Sequence, residues 1–205
     1  VKFLIDANRN HVSELMLQYP TLVRGQLLTP LTRFTNAEEG DFAIDNGAFS
    51  GFRHKDFSAL LAREEKNKSR CLFVAVPDVV GDARRTLEIF KHRHGLIRNW
   101  SLALVAQDGM ENLEIPWSEI EAIFVGGCDP WKDSKSSLDI VRTAKTLGKF
   151  VHVGRVNTFK RFDRFAQIGA DTCDGSGVAI YSDDKLGEIQ RAMHTNKEKN
   201  LWDTP

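Results

Sequence analysis

Acidic and amide side chains fall at the ends of apolar runs in this sequence, each followed by turn chemistry. Ala170-Asp171-Thr172-Cys173-Asp174 enters Gly175-Ser176-Gly177, and Phe42-Ala43-Ile44-Asp45 enters Asn46-Gly47. The run 71–76 ends at Pro77-Asp78, 101–106 at Gln107-Asp108-Gly109, 122–125 at Gly126-Gly127 and 150–153 at Gly154-Arg155. Taken alone, an Asp beside a Gly is most often a turn residue that caps its own backbone. Brought to one rim, however, Asp45, Asp78, Gln107, Gly126, Gly127, Arg155 and Asp174 make a coherent site. Three carboxylates suit a reaction that needs a nucleophile, a general acid/base and an acceptor for substrate N–H groups. Gln107 beside glycine backbone amides adds a flat surface able to read a heterocycle's edge. Three acidic oxygens on a divalent metal are the alternative chemistry. The linkers supply no obvious further ligand for it, and the Gly-Gly pair has no role in it.

The elements that must position these residues follow from periodicity. Short apolar runs read as strands at 2–6, 22–28, 42–45, 71–76, 101–106, 122–125, 150–153 and 170–174. Helix-like spacing occupies 11–19, 57–66, 81–96 and 136–147, and Thr158 caps a further helix whose apolar set is Phe159, Phe162, Phe165, Ala166 and Ile168. The run 71–76 is almost wholly apolar, the habit of parallel strands covered on both faces. Eight strands alternating with helical segments predict an α/β fold, a compact (β/α)8 TIM barrel near the lower length limit of about 200 residues. Active sites of such barrels collect at the carboxyl ends of the strands. An open doubly wound sheet is the runner-up, but neither Gly-x-Gly-x-x-Gly after the first strand nor a phosphate-loop motif is present. The expected organisation is one catalytic domain over 1–194, with a last helix at 186–193 and a loose polar tail at 195–205.

Composition narrows the function. The three cysteines, Cys71, Cys128 and Cys173, are far apart, so neither a disulfide framework nor a Cys-x-x-Cys metal site is expected. Cys173, between two acidic residues, reads as an inward-facing barrel side chain, not a nucleophile. No window nears the roughly 20 apolar residues of a membrane span, and 1–10 lacks a signal-peptide pattern, so a cytoplasmic protein is expected. Lys plus Arg equals Asp plus Glu at 28 each, which leaves polyanion binding to local patches. The candidates are the basic residues between Arg84 and Arg98, and Arg155 with Arg161 and Arg164. Arg155 is equally readable as a strand-end salt-bridge partner. His152 reads as a packed strand histidine, and Trp117, Trp131 and Trp202 as cover for the core edge or as stacking platforms for bases.

The ordered set of strand ends resembles the tRNA-guanine transglycosylases. Phe42-Ala-Ile-Asp45-Asn-Gly-Ala-Phe49 is similar to that family's Asp-Ser-Gly-Gly-Phe segment, and Val76-Pro77-Asp78 to its Phe-Asp-Glu region. Val105-Ala-Gln107-Asp-Gly109 resembles its Val-Gln-Gly-Gly, and Phe124-Val-Gly126-Gly127 its Val-Gly-Gly. His152-Val-Gly154 with Gly169-Ala-Asp-Thr-Cys-Asp174 resembles its His-Leu-Met-Gly and Gly-Ile-Asp-Met-Phe-Asp. The likeness covers about 42–177. It departs after Asp174, where Gly-Ser-Gly replaces Cys-x-x-Pro-Thr-Arg, and in the absence of the zinc-binding insertion. A barrel of this kind is more similar to the phage and bacterial relatives that place 7-deazaguanine derivatives in DNA.

The resemblance implies exchange of guanine in DNA for a free 7-deazaguanine base such as 7-cyano-7-deazaguanine, with tRNA the lesser alternative, and with neither cofactor nor metal. Asp174 would be the covalent nucleophile and Asp45 the general acid/base. Asp78, Gln107, Gly126 and Gly127 would bind the base, the two glycines through their amides, and Arg155, Arg161 and Arg164 are candidates for the nucleic-acid backbone. A homodimer or a partner subunit stays open. A nucleoside hydrolase and a non-catalytic base-binding barrel remain as rivals.

Overall fold

The computed structural model describes the backbone of residues 1–202 apart from position 98, and the side chains of these except at 93, 96 and 194–202. The chain alternates strands and helices from its start: β1 (Lys2–Ile5), α1 (Arg9–Gln18), β2 (Val23–Leu28), β3 (Asp41–Ile44), α2 (His54–Glu64), β4 (Cys71–Ala75), α3 (Ala83–Arg93) and β5 (Leu102–Ala106). It continues through β6 (Ala122–Val125), α4 (Asp129–Lys132), α5 (Lys135–Thr146), β7 (Phe150–Val153), α6 (Phe159–Gln167), β8 (Thr172–Cys173), α7 (Ser176–Ile180) and α8 (Ser182–Trp202). Each strand pairs in parallel with the next, and β8 closes on β1 through Lys2 opposite Thr172 and Phe3 opposite Cys173. The result is the (β/α)8 barrel that the alternation predicts.

Strand side chains alternate between two apolar layers. Leu4, Leu27, Ala43, Phe73, Val105 and Phe124 fill the barrel interior. Phe3, Ile5, Ile44, Val74, Val141 and Phe165 belong to the layer between strands and helices. Burial on both faces is why the strands read as continuous apolar runs. Cys173 belongs to the outer layer, which corrects its expected inward orientation: its neighbours Thr172 and Asp174 point inward, so the pleat sends Cys173 outward. Burial, with the Asp174 charge adding to it, pushes its thiol well above the ordinary cysteine range.

Four helices start at side-chain caps: Asn8 accepts from His11 N, Asp82 from Arg85 N, Ser134 from Ser137 N and Thr158 from Arg161 N. Each such cap is worth roughly 1 kcal/mol. Small size is achieved where helices are missing. The β2–β3 connection is an irregular loop held by buried Gln26, which donates to Ala7 O at 2.7 Å and accepts from Ala37 N at 2.8 Å. The β5–β6 connection carries only 3-10 turns. The carboxyl-terminal part differs from expectation. Gly-Ser-Gly opens α7 where a turn was expected, and α8 runs from Ser182 to Trp202 through most of the stretch expected as a loose tail. Arg98 and residues 203–205 lie outside the described residues. No helix among the described residues is long and apolar enough to cross a membrane.

Candidate active site

The strand ends do converge. Asp45, Asp78, Gln107, Gly126, Arg155 and Asp174 line one pocket at the carboxyl rim. Phe124 lies against the interior, T-shaped to His152 with ring centroids 4.5 Å apart. Phe49, 68% exposed, stands at the mouth with the Arg155 guanidinium 4.6 Å from its ring centre.

Asp174 follows β8 and is held from β7. His152 Nε2 lies 3.0 Å from Asp174 Oδ1, and the Arg155 amide donates to both carboxylate oxygens at 3.3 Å. His152 is fully buried, and its Nδ1 lies 2.9 Å from Thr172 Oγ1. Gly154 keeps this corner open: a Cβ there would come within 2.6 Å of Phe124 Cε2 and 3.4 Å of Asp174 Oδ1. Among the described residues, Arg155 is the one non-glycine with positive φ, at 58°. That left-handed conformation costs roughly 1–2 kcal/mol and presents its amide to Asp174.

Asp78 is held by two amides. Asn46 Nδ2 donates to Asp78 Oδ1 at 2.8 Å and Gln107 Nε2 to Asp78 Oδ2 at 2.6 Å. Gln107 is itself fixed, because its Oε1 accepts from Gly81 N at 2.9 Å. Burial raises the Asp78 carboxyl, and the two amide bonds oppose the rise. Asp45 accepts from Gly47 N at 2.8 Å. Burial pushes its carboxyl up to about 7, against the Gly47 hydrogen bond and with the Asp174, Asp78 and Asp6 charges adding to the rise. One pocket thus holds carboxylates in unlike environments, the usual basis for dividing acid/base roles.

Several expected roles need correction. The Gly126 and Gly127 amides both donate to Ala106 O, at 3.0 and 3.2 Å, so neither is free to hold a base oxygen. Their carbonyls in turn accept from Arg155 Nη2. Gly127 does not line the pocket; Trp131 packs where its Cβ would stand. Arg161 and Arg164 do not line the pocket. Arg161 pairs with Asp133 at 2.7 Å and Asp129 at 3.1 Å, and Arg164 with Asp133 at 3.6 Å. Trp131 is buried and donates to Glu111, so it offers no stacking face, and Trp117 is partly buried against the core. Trp202's side chain lies outside the described ones.

Three residues at or behind the site, Asp6, Asn46 and Lys132, are given no role there by the sequence reading. Asp6, at the end of β1, has a buried Oδ1 without a partner, and burial raises its carboxyl to about 6, with a Thr32 hydrogen bond opposing and Asp174 adding. Its signal was the same pattern of an apolar run ending in Asp. Asn46 and Lys132 act through partners in other βα units, which local sequence does not reveal, whereas His152 is the packed strand histidine expected, its partners Thr172 and Asp174 supplied by the next strand. Among the described residues, no group of three or more His, Cys, Asp or Glu side chains is placed to hold a metal ion. No protein-family model and no curated protein matches this chain.

Proposed function

We propose that this chain is a DNA-guanine transglycosylase that exchanges guanine for a free 7-deazaguanine base through a covalent aspartyl-glycosyl intermediate. The observation that carries the reading is that Asp174 and Asp45 line one pocket in unlike environments: the Arg155 amide donates to both oxygens of Asp174, while burial pushes the Asp45 carboxyl up to about 7. Asp174 attacks C1′ from the face opposite the base, and the C1′–N9 bond breaks with its electron pair passing to guanine. Asp45 delivers its proton to the departing base. As a carboxylate it then takes the N9 proton of the incoming 7-deazaguanine, whose N9 reforms the bond to C1′ and releases Asp174. Two inversions retain configuration.

Asp78 accepts from the N1–H and 2-amino group of the base, its position fixed by Asn46 and Gln107. Because the Gly126 and Gly127 amides are committed to Ala106, the donor left for O6 is the second N–H of Gln107 Nε2. Phe49 and Phe124 offer flat apolar walls to the ring. Arg155, at the mouth, is the arginine placed to meet an adjoining phosphate. A target in duplex DNA leaves the stack to enter, at a cost of a few kcal/mol. DNA is favoured over tRNA because the likeness to the tRNA enzymes lacks their zinc-binding insertion.

The test is incubation with 7-cyano-7-deazaguanine and guanine-containing DNA or tRNA, beside Asp174→Ala, followed by digestion and mass spectrometry of the nucleosides. A deazaguanine deoxynucleoside formed only by the intact protein supports the reading. Modified ribonucleosides would move the substrate to tRNA, and release of guanine without incorporation would replace exchange by hydrolysis.

A further inference from the structure

We propose that Lys132 is a positioning residue for Asp174, acting through the single peptide that joins Gly154 to Arg155. The inference rests on Asp174 being the attacking group of the proposed exchange. Lys132 ends α4 and is fully buried, and its Nζ donates to Gly154 O at 2.5 Å. The N–H on the other side of that peptide is the Arg155 amide, 3.3 Å from both oxygens of Asp174. The carbonyl and the N–H share one conjugated plane. A cation on the oxygen draws electron density from the nitrogen and strengthens the N–H as a donor, the polarisation that chains of hydrogen bonds transmit.

Two features argue that the ammonium is kept for this link. A buried charge is costly, and an apolar side chain of similar volume usually packs such a position at no loss. Yet Lys132 stands near the charge of Arg155, whose left-handed backbone turns its amide to the nucleophile. The surrounding charges are mixed. Arg155, on the loop after β7, and Arg161, on α6, oppose the ammonium; Asp174, after β8, and Asp129, on α4, favour it, and Asp133 at the end of α4 also faces it. Burial dominates and brings Lys132 down to about 8. The link is therefore fully charged below neutrality and weakens in mild alkali.

The experiment uses the full chain, Lys132→Met and Lys132→Arg. In base exchange, kcat of Lys132→Met should fall by on the order of tenfold or more, the scale for losing an outer partner of an oriented ligand. KM for the free base should stay unchanged, and Lys132→Arg should recover part of kcat. Independently of turnover, the Arg155 amide nitrogen resonance of the wild type should move with pH at the midpoint of the Lys132 Nζ signal, near 8, and lose that movement in Lys132→Met. An Arg155 resonance that ignores the lysine titration in the wild type overturns the proposal whether or not the variants fold. So does a Lys132→Met enzyme with full kcat, or one whose loss only follows its folded fraction. Absence of exchange in the wild type on either polymer would defeat the base-exchange reading instead, while the resonance still decides whether Lys132 and the Arg155 amide are linked.

Discussion

His152 Nε2 stands 3.0 Å from Asp174 Oδ1, although the two residues leave different strands, β7 and β8. Its Nδ1 lies 2.9 Å from the Thr172 hydroxyl, so both ring nitrogens have a partner on or just after β8. The imidazole is thereby fixed between Thr172 and Asp174, and the Arg155 amide reaches both carboxylate oxygens.

His152→Phe is expected to keep the barrel but release Asp174. We expect kcat for exchange to fall about 10- to 100-fold, the range for orienting partners, with KM for the free base nearly unchanged. Steady-state kinetics on DNA with varied 7-deazaguanine checks this, and an equal rise in KM would show that His152 shapes the base pocket instead.

Asp45 makes the stability of the fold fall as pH rises. Its folded carboxyl is raised to about 7 from an ordinary 3.8, so the native state binds the extra proton between those values. Its contribution to stability is complete below about pH 4 and is lost as pH rises through about 7. Asp45→Asn should therefore melt higher than the wild type at pH 8, by an amount that shrinks as pH falls toward 4, while exchange activity is lost. Thermal unfolding at several pH values measures it.

Gly126→Ala tests the fit of the pocket. A Cβ there would stand 2.7 Å from both Gln107 Nε2 and Val105 Cγ1, so Gln107 must move off Asp78. A rise of roughly tenfold in KM for the base is expected, equivalent to about 1.4 kcal/mol of lost binding. Isothermal titration with the free base reads the same quantity without turnover.

Arg155 and Arg161 should separate in salt dependence. Arg161 is committed to Asp129 and Asp133 and to Arg155 O. Arg161→Ala should lower the melting temperature by about 2–4 °C per kcal/mol lost and leave the salt slope of DNA binding alone. Arg155→Ala should reduce that slope by about one. Fluorescence anisotropy across a salt series distinguishes them.

Much of this architecture was legible locally. Apolar runs of strand length alternating with helical periodicity determined the barrel, because burial on both faces leaves few other ways to place such strands. Asp45, Asp78, Gln107 and Asp174 could be picked out because each ends such a run, and a parallel barrel brings all those ends to one rim. The Thr158 cap was readable for the same reason: its partner, Arg161 N, lies three residues away.

What the tertiary structure alone decided is who satisfies whom. The Gly126 and Gly127 amides looked available, yet the β5–β6 register sets both on Ala106 O. Arg161 looked like a phosphate ligand, yet it meets two aspartates roughly thirty residues away in sequence. Lys132 and His152 come from different βα units, yet the fold brings Lys132 Nζ to Gly154 O and His152 Nε2 to Asp174 Oδ1. A hydrogen-bond partner is fixed by which group a buried donor reaches once water is excluded, and that depends on strand register and loop path, which no local pattern encodes.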